Sequence, residues 1–237
     1  MKSVQSLFPV VAIVLLSMSQ GVQALPVEAG SSGVFIDPEP IGGVYSGANT
    51  SNFTWGDSLS VNRNRVVFSG TTISSDLNTN FTLGSLTYTN GSNTFGTAAD
   101  TFKLKLSVAF SNPSVGTVDF VFPFVVTATT NTSDPDASAD YLNLPSLLSS
   151  SSFLIGADLY TLRLVGFSDV VGDGFLSSSV TQFHVREDLS ASANVVARVE
   201  RDTRNQVSEP GMLATALLGL GGMFAMRRKT SGTSREG

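Results

Sequence analysis

From Phe102 to Phe110 every second residue is apolar: Phe102, Leu104, Leu106, Val108 and Phe110 alternate with Lys103, Lys105, Ser107 and Ala109. A period of two puts all five apolar side chains on one side of an extended backbone, so the segment must be a strand with one face buried. Shorter runs of strand-forming residues recur at 65–69, 81–88, 118–127, 153–155, 159–164, 180–185 and 195–199. Between them stand turn formers, among them Asn90-Gly91, Asn112-Pro113, Gly156-Ala157-Asp158 and Gly172-Asp173-Gly174. These residues tolerate a positive φ or fix a bend. Pro123 cannot donate to a ladder, which predicts an edge position or a bulge within 118–127. No stretch of the body carries a helical period of ten or more residues. The pattern predicts an all-β fold, an antiparallel sandwich of Greek-key or jelly-roll type, with a closed barrel as the next choice.

Residues 43–200 are expected to form this domain, preceded by a Pro/Gly-containing lead-in over 25–42 and followed by a polar linker over 201–207. The serine-rich run 146–152 reads as a low-complexity loop. About 185 residues lie between the two tails of the chain, enough for one domain with a substantial core. Cysteine is absent, which removes disulfides, thiol nucleophiles and thiolate metal sites. Residues 25–209 carry nine Lys or Arg against eighteen Asp or Glu, a net charge of −9. Nucleic acid and anionic lipid reward the opposite sign, so neutral glycans, cations and other proteins are the better partners.

Both tails carry targeting signals. Lys2, the apolar stretch 7–16 and the small-residue site ending at Ala24 read as a secretory signal peptide over 1–24, cleaved after Ala24. At the other end, Ser208-Glu209-Pro210 precedes an apolar run from Met212 to Met226, then Arg227-Arg228-Lys229 and a tail over 230–237. A helix over 212–226 would cover only about 22 Å of a hydrocarbon layer about 30 Å thick. The cations after it resist crossing and leave the tail cytoplasmic and the body outside. A span this short suits temporary anchoring.

The segment 208–229 resembles the PEP-CTERM sorting signal of bacterial surface proteins. Glu209 and Pro210 match its tripeptide, with Ser208 where the first proline would stand, and the Gly/Leu/Ala-rich span and the Arg227-Arg228 pair match the rest. The resemblance implies recognition by a membrane-embedded exosortase and association with exopolysaccharide and the cell surface. The body is similar to the choice-of-anchor K domain of bacterial surface proteins in the order of four pieces: Ser51 to Gly56, Val67 to Gly70, Phe81 to Tyr88, and Gly166-Phe167 leading into Gly172 to Phe175. That resemblance implies a surface location and brings no catalytic residue.

Four features invite a chemical reading. His184, the only histidine, falls in register with Gln182 and Arg186, on the solvent side by alternation, and no Gly-x-Ser-x-Gly elbow accompanies it. Glycoside hydrolysis needs two carboxyls about 5 to 9.5 Å apart across a sugar, and the carboxyls here sit mostly in turns. Asp134, Asp136 and Asp140, and separately Asp169 and Asp173, could offer oxygen ligands to calcium, although neither set follows an EF-hand loop. Capping of turns by these Asp side chains is the competing explanation. Trp55 could stack on a sugar, but a lone Trp among apolar neighbours belongs to a core more often. No catalytic or cofactor-binding residue is assigned. The expectation is a non-enzymatic envelope or matrix protein with a structural or adhesive role, then a carbohydrate-binding module, then a secreted hydrolase.

Overall fold

The computed structural model describes residues 26–145 and 148–202. The signal peptide with Ala24, the sorting signal 208–229 with Ser208, Glu209, Pro210, Arg227 and Arg228, the span 212–226, the tail 230–237 and most of the linker lie outside those residues. Among the described residues there is no helix, and so none long and apolar enough to cross a membrane.

The described residues form fourteen strands, in chain order β1 (Pro26–Glu39), β2 (Tyr45–Ser46), β3 (Asn52–Trp55), β4 (Asn64–Gly70), β5 (Thr72–Asp76), β6 (Phe81–Thr89), β7 (Thr101–Asn112), β8 (Gly116–Thr127), β9 (Asp140–Asn143), β10 (Leu148–Ile155), β11 (Asp158–Val171), β12 (Phe175–Ser179), β13 (Gln182–Val185) and β14 (Ser190–Arg201). They form two antiparallel sheets of seven packed face to face, one ordered β12-β13-β9-β8-β7-β1-β5 and the other β10-β11-β14-β6-β4-β3-β2.

The alternation in β7 is obeyed residue by residue: its five apolar side chains are buried, and Lys103 and Ala109 are exposed. In register with β8, Phe102 faces Phe124, Leu104 faces Phe122 and Leu106 faces Phe120, so the cross-strand pairs of this sheet form half of the core. The other sheet answers with Phe53, Trp55, Tyr88, Leu162 and Val199, all buried. Trp55 is 1 % exposed and stacks on Phe53 and Tyr88 at 5.6 and 5.8 Å, which assigns it to the core. Pro123 lies opposite Lys103, while β9 pairs with β8 only over Val125–Thr127, so its outer side is free of a ladder as the missing N–H requires.

Two segments depart from expectation. Most of the lead-in 25–42 is the long strand β1, seated between β5 and β7 with Phe35 at 1 % exposure. Its Gly and Ser residues fit the crowding there: a side chain on Gly33 would meet Leu104 Cδ1 and Phe68 Cδ1 at 2.8 Å. The serine-rich run also supplies a strand rather than a loop, since 148–155 pairs with β11 and buries Phe153 against Phe110 at 4.8 Å. Backbone pairing makes β10 a strand, and its serines cost little on an edge.

The chain changes sheets at Thr71, between β4 and β5, with Ser31 as a brace. The Ser31 hydroxyl accepts from Thr71 N at 2.9 Å and donates to Leu83 O or Thr71 O, and a side chain on Gly70 would collide with Ser31 O. One pole of the sandwich is closed by the short connections 77–80, 113–115 and 156–157. Pro26 and Arg201 also lie there, since Pro26 pairs with Asp76 and Arg201 with Tyr160. The opposite pole carries the longer loops 56–63, 90–100 and 128–139.

Candidate functional site

The loops of the long-loop pole are tied to one another by backbone bonds. Val44 N–H donates to Thr97 O, Gly56 N–H to Val44 O, Leu59 N–H to Ser92 O and Thr94 N–H to Asp57 O, at 2.8 to 3.1 Å. Between them opens a cleft of about 570 Å³, whose lining includes Pro40, Leu59 and Phe95 as well as Asn93, Asn131 and Asp140. The Phe95 ring is fully exposed, and Ile41, Leu59 and Val61 are exposed on the same pole. Among the described residues no Lys or Arg lines the cleft.

Beneath it lies a buried polar network. Asn64, Asn90 and Ser138 are almost wholly buried. The Tyr88 hydroxyl donates to Asn64 Oδ1 at 3.3 Å or Asn90 Oδ1 at 3.4 Å, and Asn90 Nδ2 donates to Val185 O at 3.0 Å. Burial lifts the Tyr88 hydroxyl well above the usual tyrosine range, and the charges of Asp140 and Glu187 push the same way. Asp140, 6 % exposed, accepts from Thr129 N at 2.7 Å and from Thr129 Oγ1 at 3.2 Å. Burial raises its carboxyl from 3.8 to about 6, helped by Glu187 and opposed by the Thr129 bonds. Glu187 is raised too, by burial first and by Asp188, against the hydrogen bond from Ser92. A relay runs along the edge: Asn131 Nδ2 donates to Ser92 Oγ at 3.0 Å, which donates to Glu187 Oε1 at 2.6 Å.

Two buried atoms of this pole have no hydrogen-bond partner, Asn93 Oδ1 and Glu187 Oε2. Each such orphan costs about 1–3 kcal/mol. The Asn93 amide fills the place a side chain on Gly56 would take, at 2.1 Å from its Cβ position, and Gly56 has a φ of 81° that favours glycine. Chemically, the cleft offers one apolar ring and several acceptors and amides without a cation.

The residues singled out from sequence fall in several places. His184 does not face solvent: it is 9 % exposed, its ring stacks on Tyr141 at 3.8 Å, Nε2 lies 2.9 Å from Ala139 O and Nδ1 3.4 Å from Ser177 Oγ. Alternation failed because β13 runs between β9 and β12, where Tyr141 covers the outer face. Both ring nitrogens meet neutral structural partners, so the carboxylate that would orient a catalytic imidazole is not among them. Asp134 Oδ1 caps the turn through Asp136 N at 3.0 Å, Asp136 pairs with Arg186, and Asp140 turns inward to Thr129. Asp169, at φ 50°, accepts from Ser168 Oγ at 2.9 Å and Asn194 Nδ2 at 3.0 Å, while Asp173 stands in the turn between β11 and β12. Among the described residues no three His, Asp or Glu side chains converge as metal ligands. Phe95, Asn93 and Asn131 carry no period or spacing motif; a lone Phe in an Asn/Thr/Gly-rich loop was the only signal available.

No family model matches the chain, and no curated protein matches it either.

Proposed function

We propose that this chain is an exported bacterial surface or extracellular-matrix protein, processed by an exosortase at its C-terminal signal and serving a structural or adhesive role in or near exopolysaccharide. The observation that carries the reading is the order of the tail: Ser208-Glu209-Pro210, then an apolar span too short for lasting anchorage, then Arg227-Arg228. The signal peptide ending at Ala24 supports export, and an acidic body without cysteine is compatible with an external matrix of neutral glycans. The domain is read as a jelly-roll-like sandwich, on the grounds that the chain passes between its two sheets repeatedly. The protein is inserted in the inner membrane before release to the surface.

Fractionation of cells with and without the exosortase tests the reading. Release of a shortened protein should require the enzyme, and Glu209→Ala with Pro210→Ala should trap the precursor in the membrane. Unchanged release of the double variant would refute it. A carbohydrate-binding module is the second reading, favoured by the exposed Phe95 ring beside a polar-walled cleft.

A further inference from the structure

The cleft of the long-loop pole can be asked what it would hold. An isolated exposed Phe is ordinary, but Phe95 stands with exposed Leu59 and Ile41 on one pole, and a cleft of about 570 Å³ lies in the usual size range of small-molecule sites. A wholly apolar guest, such as a lipid tail, would strip water from Asn93, Asn131 and Asp140 and give no hydrogen bonds in return. An anionic guest would face Asp100 and Asp140 without a cation to meet it. A pyranose presents one face of C–H groups and a rim of hydroxyls. That combination suits a cleft lined by a phenyl ring together with carboxylate and amide groups.

We propose that this cleft binds a neutral glycan, one sugar ring lying on Phe95 and its hydroxyls reaching Asn93, Asn131 and Asp140. Asn131 is steadied for this by its bond to Ser92, whose own hydroxyl is held by Glu187. The Asn93 amide is steadied by the space left at Gly56, where its Oδ1 is buried, so the contact it offers a sugar is through Nδ2. The ligand class deepens the adhesive reading above and rests on it only for why a glycan would be at hand.

Titration calorimetry of the full-length protein in detergent micelles tests the proposal, with cellohexaose, mannohexaose, xylohexaose and galactohexaose as probes and polygalacturonate and an unrelated peptide as controls. At least one neutral hexasaccharide should bind. Phe95→Ala should weaken it tenfold or more, Phe95→Trp should keep or tighten it, and Asn131→Ala should weaken it severalfold. Circular dichroism and the melting midpoint of Phe95→Ala should match the parent, since the ring touches no core. The proposal is overturned if no neutral probe binds, if Phe95→Ala binds as the parent does, or if only polygalacturonate or the peptide is taken. Because the titration needs no sorting, failure here leaves the exosortase experiment intact, and the reverse is equally true.

Discussion

At the short-turn pole the connections 77–80, 113–115 and 156–157 close the sheets tightly, aromatic rings of Phe110, Phe120, Phe153 and Tyr160 pack beneath, and charge pairs such as Arg201 with Asp158 at 2.6 Å decorate the rim. At the long-loop pole rings also pack beneath, with Trp55 touching Tyr88, Phe53 and Phe102, yet above them lie buried amides, two raised carboxyls and two orphaned oxygens. The poles are alike in apolar packing and opposite in how their polar groups are treated. Stability is conserved at one and given up at the other, the pattern expected where a fold carries a working surface.

The largest effect should come from the interior that the poles share. Trp55→Ala should cost about 3–5 kcal/mol and Phe153→Ala a loss at the low end of that range, read from urea unfolding midpoints. A greater loss at Phe153 than at Trp55 would make the short-turn pole the more tightly packed of the two. Next comes pH. A carboxyl whose folded value is raised holds its proton better folded than unfolded, so Asp140 lowers stability as pH rises from about 4 to about 6, by on the order of 2–3 kcal/mol. Glu187 acts in the same direction. Asp140→Asn keeps an oxygen for Thr129 and should flatten that decline in thermal melts between pH 4 and 7; an unaltered decline would remove Asp140 from the account. Glu200 at the short-turn pole behaves oppositely: burial opposes its ionisation, but hydrogen bonds from Arg198 and Arg163 outweigh it and lower the carboxyl. Its contribution is present above the ordinary glutamate value and fades as pH falls through the lowered one.

Smaller effects separate the rims. Arg201→Ala should lower the melting midpoint only slightly, because the pair with Asp158 is partly exposed, and the loss should shrink in high salt. Phe95→Ala should change unfolding free energy by less than about 0.5 kcal/mol while altering what the long-loop pole binds. A marked loss of stability would recast that ring as a structural element.

Much of the sheet interior was legible because burial on one face writes itself as alternation, as in β7 and β14, where inward Phe, Leu, Val and Ala recur at every second place, and in β6, where Phe81, Leu83, Leu86 and Tyr88 do so apart from one slip at Gly84. β1 was hidden since its Gly30-Ser31-Ser32-Gly33 run reads locally as a loop, while Ser31 and Gly33 answer to Thr71, Leu104 and Phe68 on strands and turns distant in sequence. β10 was hidden for a related reason: an edge strand needs only backbone pairing to β11, and serine says nothing about pairing. The short strands β2, β5, β9 and β12 are too brief to show a period. The cleft was invisible because its residues come from loops far apart in sequence, and only closure of the sandwich sets Phe95 beside Asn131 and Asp140. Asp140 was noticed for its carboxylate, yet its inward turn to Thr129 depends on the strand that β9 forms.

Pro26 and Arg201 leave the sandwich from the same pole, far from Phe95. If the chain is anchored through the segment after residue 202, as proposed, such a leash would pull on the blunt base and leave the opposite tip facing outward like a hand on a raised arm. Length added to that leash would extend reach without altering grip, and the two could be tuned by separate mutations.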